Sequence, residues 1–352
     1  MTAKSECLAG IIEGFYGRPW SWETRLAYVG ILKELGLNSY VYCPKSDPFL
    51  RKQWQQKWPP QQWRHLQGLS GEYRKQGLNF GVGLSPFALY QNYDRHQREQ
   101  LKRKIFSLND LQAPLFALLF DDMPGALDDL ASRQAEIVAD VVEWTSANRI
   151  FVCPTYYSFD PILEQYFGRR PPDYWLQLGR DLPASAEILW TGNQVCSGSV
   201  TVEDVRAISD LLGRPVALWD NYPVNDGAVR SNFLYTSKLS SREVGLPREL
   251  TAHLCNPMNQ GLVSLLALLG LTDLHKRAEP TTAYLYRALG KDVYNQLQRD
   301  SQDFENLGLS GMGQQRCSSL AEDYAGMPGP AAAEVAGWLR GEYTFDPACL
   351  TD

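Results

Sequence analysis

APLFALLFDDMPG, residues 113–125, runs a strand's length of apolar side chains straight into two carboxylates. Six of the seven residues from Leu115 to Asp121 are apolar, and Asp122 follows with no spacer. Strand side chains alternate between faces, so the two acids leave the strand in different directions. A pair of adjacent aspartates on its own is most simply a solvated turn. The surrounding chain decides otherwise, because this run is one of eight.

Apolar runs bounded by turn residues predict strands at Leu8–Gly14, Ser39–Pro44, Asn79–Ser85, Leu115–Asp121, Arg149–Thr155, Glu187–Thr191, Val216–Asp220 and Leu250–Asn256. Helical patterns fill the gaps. Ser21 can cap a helix that carries Leu26, Val29, Leu32 and Leu35 on one face and stops at Gly36. Residues 61–76, 95–108, 127–146, 160–178 and 202–212 read in the same way, a seventh helix is expected within 228–245, and 260–276 reads as the eighth. Strands alternating with helices imply a parallel sheet, and eight such units imply a closed α/β barrel of the (β/α)8, or TIM, type. The barrel is expected over residues 1–277. Residues 278–352 lack strand runs and read as a small helical appendage.

Composition narrows the function. The chain has 352 residues, 44% hydrophobic and 21% charged, with a net charge of −6 and no basic cluster, which argues against a nucleic-acid partner. No apolar run reaches the length of a membrane span, and MTAKSECLAGIIEGFYG enters strand-like sequence without a charged-then-apolar leader, so a cytoplasmic location is expected. Seven cysteines contain no CxxC pair, which suggests free thiols. Metal hydrolases on such barrels usually draw on histidine. The four here, His65, His96, His253 and His275, include only one within a strand, His253, so neither a metal nor a cofactor is expected.

On barrels of this kind, chemistry collects where strands end at their C-terminal face. Here the first strand runs into EGFYGRPW, the second into YCPKSDP, the fourth into FDDMPG and the fifth into CPTYYS. The sixth ends in WTGNQ, the seventh in WDNYPVND and the eighth in CNPMNQ. Aromatic faces ringed by Asn, Asp and Lys suit a sugar, which stacks through its apolar face and hydrogen-bonds through its hydroxyls. A phosphate site would want a Gly-rich loop opening a helix, and the chain has none.

In combination and in order, GIIEGFYGRPWSWETR, YVYCPKSDP, LLFDDMP, CPTYY, WTG, WDNYPVND and NPMNQ resemble glycoside hydrolase family 84. That family comprises the O-GlcNAcases and related bacterial β-N-acetylglucosaminidases, and the resemblance covers residues 8 to about 275. It implies a retaining exo-β-N-acetylglucosaminidase using substrate assistance, an exception to the usual pair of flanking carboxylates. The sugar's own 2-acetamido oxygen attacks C1 and forms an oxazoline. Carried over by motif, Asp121 accepts the acetamido N–H and orients the group, while Asp122 serves as general acid and then general base. The resemblance further implies that Gly14, Lys45, Asn221, Asp226 and Asn256 bind the sugar hydroxyls. Cys153, Tyr157, Thr191 and Trp219 would form the acetamide pocket, with Tyr157 bonding the acetamide oxygen. Tyr16, Tyr42, Trp190 and Tyr222 are read as scaffold or rim.

Ser46, Tyr156 and Gly227 depart from the family pattern, and Gly227, where an aromatic residue is frequent, is expected to open the wall around the sugar's far hydroxyls or on the aglycone side. The implied partner is an N-acetylglucosamine-bearing glycoside or glycoprotein. Three other readings stay open at this point: a hexosaminidase acting on N-acetylgalactosamine or on hyaluronan- or chitin-type oligosaccharides, a non-catalytic glycan-binding barrel, and a metal-assisted hydrolase with the two aspartates as ligands.

Overall fold

Every strand that the apolar runs predict is present in the computed structural model, which describes residues 7–277 and 280–351. They are β1 (Leu8–Glu13), β2 (Ser39–Tyr42), β3 (Asn79–Leu84), β4 (Leu115–Leu119), β5 (Arg149–Cys153), β6 (Ala186–Trp190), β7 (Val216–Asp220) and β8 (Ala252–Cys255). Each pairs in parallel with the next and β8 pairs back onto β1, closing the barrel. Most strands end a residue or two before their predicted limit. The Phe120 N–H still reaches the Cys153 carbonyl at 2.8 Å, but Asp121 and Asp122 already belong to the turn after β4. Gly10 is required by the packing of β1: a Cβ there would lie 1.8 Å from the Ser39 carbonyl oxygen.

The outer layer is α1 (Trp22–Glu34), α2 (Pro60–Lys75), α3 (Arg95–Asn109), α4 (Leu130–Trp144), α5 (Ile162–Phe167), α6 (Tyr174–Asp181), α7 (Val202–Leu212) and α8 (Leu265–Leu274). The Ser21 side chain does cap α1, accepting the Thr24 N–H at 3.1 Å. The single helix expected over 160–178 is two, because Gly168 at φ 94° and the Pro171–Pro172 pair break it. The eighth helix begins at Leu265 instead of residue 260.

No α-helix lies within 228–245, which holds only a 3-10 turn at Arg230–Asn232. Contacts with neighbouring elements hold this segment in an irregular path. The Leu239 N–H donates to the Ala267 carbonyl of α8 at 2.9 Å, so the backbone there serves a neighbour and not its own helix. Arg242 reaches inward and places Nε and Nη2 at 2.7 Å from the two oxygens of Asp220. His253 Nε2 stands 2.9 Å from the same carboxylate, and His275 Nε2 lies 3.4 Å from His253 Nδ1. Burial alone would raise the Asp220 pKa, but the Arg242 charge and these hydrogen bonds bring it down to about 2. A buried ion pair thus covers the side of the barrel where an apolar helix face was expected.

Beyond the barrel follow α9 (Thr282–Leu289), α10 (Lys291–Gln302), α11 (Gly308–Ala325) and α12 (Pro330–Leu339). They grip the long β7–β8 connection. Glu305 accepts the Thr236 N–H at 2.6 Å, and Trp338 Nε1 donates to the Ser231 carbonyl at 3.1 Å. Glu334 accepts the N–H groups of Leu262 and Val263, at 2.9 and 3.1 Å, in the turn before α8. The boundary expected after residue 277 adjoins residues 278 and 279, which lie outside the described residues, as do residues 1–6 that were read for a leader.

Candidate active site

A cavity of about 480 Å3 opens at the C-terminal end of the strands, and all eleven residues singled out from the sequence line it. Alternation explains the choice of side chains. On β1, Glu13 points away from the cavity and is held by Arg25 of α1 at 2.7 Å, while the next residue, Gly14, faces it. On β7, Asp220 joins the Arg242 network while Trp219 lines the cavity.

Asp121 is buried, with one oxygen, Oδ2, paired to the Lys45 ammonium. Its other oxygen, Oδ1, is buried with no hydrogen-bond partner among the described residues. An unpaired buried acceptor is rare in folded proteins and marks a place where a donor from outside belongs. Asp122 is the opposite case. Its Oδ2 accepts the Tyr16 hydroxyl at 2.8 Å and its Oδ1 accepts the Tyr157 hydroxyl at 2.9 Å. Burial, reinforced by the nearby Asp122 charge, pushes both tyrosines well above their ordinary pKa, so both remain donors. The Asp122 backbone sits in the left-handed region at φ 55°.

Lys45 does not pair with its near neighbour Asp47. That carboxylate takes the Tyr42 hydroxyl at 2.9 Å and Trp58 Nε1 at 2.8 Å, and Lys45 crosses to Asp121. Gly14 is needed for close approach: a Cβ would fall 2.3 Å from Trp219 Cζ2. Its N–H donates to Asn256 Oδ1 at 3.1 Å. Asn221 Oδ1 accepts from both Trp219 Nε1 and Asn256 Nδ2 at 3.0 Å, which fixes the indole and the second amide relative to each other. Thr191 donates to the Gln194 carbonyl at 3.2 Å. Cys153 lines the cavity, and burial pushes its thiol pKa far up, so it stands there as a small neutral group. Asp226 Oδ2 accepts the Tyr16 N–H at 2.6 Å.

Sequence reasoning missed residues of two kinds. Tyr16, read as scaffold or rim, lines the cavity and bonds Asp122; its place beside Gly14 in EGFYG was the available signal. Tyr42, Trp190 and Tyr222 do not line it. Cys349 and Thr351 do, although they lie far along the chain, after the last helix. Thr351 is 8% exposed, with Oγ1 3.4 Å from the Tyr157 hydroxyl, and Cys349 Sγ is 3.9 Å from Asp226 Oδ1. Nothing in their local sequence announces this.

Comparison with known proteins agrees with the geometry. The sequence model described as beta-N-acetylglucosaminidase matches residues 9–305. Protein O-GlcNAcase of Rattus norvegicus is 30% identical over 259 residues, 71% of this chain and 28% of that protein, and the Mus musculus protein matches equally. The chain therefore spans under a third of the length of these relatives. Among solved structures, an O-GlcNAc hydrolase mutant from Thermobaculum terrenum superposes with a TM-score of 0.75 at 26% identity, covering 96% of this chain and 81% of that one. With the family match spanning the whole barrel and the same strand-end motifs gathered in one cavity, the chain belongs to the β-N-acetylglucosaminidase family, glycoside hydrolase family 84.

Proposed function

We propose that this protein is a retaining exo-β-N-acetylglucosaminidase that releases terminal β-linked N-acetylglucosamine from glycosides or glycoproteins. The observation that carries the reading is the unpartnered, buried Oδ1 of Asp121 beside a fully engaged Asp122. An acetamido N–H is a donor of the right kind for that oxygen. Held there, the acetamide carbonyl oxygen attacks C1, and the C1–O bond breaks with its electron pair passing to the leaving oxygen. Asp122 gives that oxygen a proton, and Asp121 stabilises the positive charge on the oxazolinium. Water then attacks C1 while Asp122 takes its proton, the oxazoline opens and configuration is retained.

The rest of the cavity suits this course. Lys45 has three donors, of which Asp121 takes one, so others remain for a sugar hydroxyl. Trp219, Cys153 and Thr191 make a small, largely apolar enclosure for one methyl group. The Tyr157 hydroxyl, bonded here to Asp122 and near Thr351, can exchange these partners for the acetamide oxygen when the sugar enters.

The test is hydrolysis of an aryl N-acetyl-β-glucosaminide by the wild type, Asp121→Asn and Asp122→Asn, with a thiazoline mimic of the oxazoline as inhibitor. Wild type should turn over and be inhibited, and each variant should lose roughly 10²–10⁴-fold. Asp122→Asn should lose least when the leaving group departs without a proton. Thiazoline binding without turnover of gluco- or galacto-configured substrates would make the barrel a glycan-binding module. Absence of both would remove the reading.

A further inference from the structure

Arg51 belongs to none of the strand-end motifs and does not line the cavity. It ends the short turn Pro48–Leu50 that follows β2, and it is 6% exposed. Its guanidinium is directed at the backbone of the two aspartates. Nη2 donates to the Asp122 carbonyl at 2.9 Å, and Nη1 donates to Ser85 Oγ at 2.8 Å and reaches the Asp121 carbonyl at 3.4 Å. The Phe87 ring lies 5.2 Å from the guanidinium carbon and backs the fork.

This grip coincides with the one strained point of the catalytic turn. Asp122, at φ 55°, holds a conformation that is costly for a side-chain-bearing residue and persists only when its surroundings over-determine it. In that conformation its carboxylate meets Tyr16 and Tyr157. We propose that Arg51 is the positioning residue for Asp122: by holding the carbonyls on both sides of the strained residue, it keeps the proton-transferring carboxyl aimed at the glycosidic oxygen. The inference rests on the reading of Asp122 as general acid and base. A planar fork can span two carbonyls and a hydroxyl at once, whereas a lysine ammonium, a point donor on a flexible stem, cannot.

The experiment compares Arg51→Lys with wild type on two aryl N-acetyl-β-glucosaminides, one with a leaving group that needs a proton and one with a leaving group that does not. Wild type and Asp122→Asn are measured first. If Asp122→Asn shows no leaving-group dependence, the reading of Asp122 fails, whatever Arg51 does. With that dependence established, Arg51→Lys should lose on the order of 100-fold in kcat/KM on the demanding substrate, the scale expected for a catalytic group misplaced by about 1 Å. On the activated substrate it should lose less than about 5-fold, and thiazoline affinity should stay near wild type, since neither depends on that proton transfer. Equal losses on both substrates, a parallel loss of thiazoline affinity, or no loss at all would each overturn the proposal. Should Arg51→Lys fold poorly, Ser85→Ala releases only the Nη1 side of the fork. It should show the same leaving-group pattern at smaller size, and its absence there would count equally against the proposal.

Discussion

The Asp226 carboxylate accepts the Tyr16 backbone N–H at 2.6 Å, across 210 residues of sequence. One side of the cavity is thus closed by joining the β7–β8 connection to the turn after β1. The C-terminal helices take part, because Glu305 and Trp338 hold the same connection from outside. Replacing Asp226 removes this tie along with a proposed acceptor for sugar hydroxyls. Hydrogen bonds to a charged group contribute about 1.5–3 kcal/mol, so Asp226→Ala should lose roughly 10–100-fold in kcat/KM. The loss should appear mainly in KM. An unchanged KM would mean that Asp226 serves only the fold.

Gly14→Ala tests the close contact between Gly14 and Trp219. The added methyl would stand 2.3 Å from Trp219 Cζ2 and 2.7 Å from Cη2, so the indole must move. Overpacking of this kind costs about 1–3 kcal/mol. Thermal unfolding should record that loss, and thiazoline affinity should fall with it if Trp219 shapes the acetamide enclosure as proposed. Full affinity in a destabilised variant would separate Trp219 from the ligand.

In the proposed reading a bound acetamide takes the space in front of Tyr157, which Thr351 adjoins. Removal of residues 346–352 should therefore lower KM with kcat nearly unchanged. If the segment fills the cavity most of the time, the fall should be about 3–10-fold, following the fraction of molecules whose site is open. Thr351→Arg should shift KM in the same direction. A rise in KM on deletion would show that these residues help to hold substrate.

Glu334 gives a pH dependence of stability. Its burial, only partly offset by the N–H groups of Leu262, Val263 and Gly261, raises its pKa from the ordinary 4.5 to about 7. A carboxyl raised in the folded state contributes stability that is fully present below pH 4.5 and is lost as pH rises through about 7. Melting temperatures across this window should decline in the wild type and decline less in Glu334→Gln. Matching slopes in the two proteins would remove Glu334 as the source.

The barrel was legible because each apolar run had the length of a strand and turn residues at both ends, patterns that depend only on near neighbours. The same is true of the Ser21 cap and of the motifs that share the cavity, since strand ends on a parallel barrel all face one way. The segment 228–245 was misread as a helix because its partners are remote. Arg242 answers to Asp220 on β7, and the Leu239 N–H answers to Ala267 on α8.

The sequence by itself determined the eight strands, the adjacent pair of acids that follows the fourth strand, and the family. Local periodicity and residue type carry that information. Only the tertiary structure decided that Asp121 keeps an unpartnered oxygen while Asp122 has none, that Lys45 crosses to Asp121, and that Tyr16 enters the site. It also brought Arg51 to the strained turn and Thr351 to Tyr157. Each of these depends on which polar groups lie within about 3 Å after packing, the range over which a hydrogen bond acts. Closing the barrel sets those distances, and no local pattern of residues encodes them.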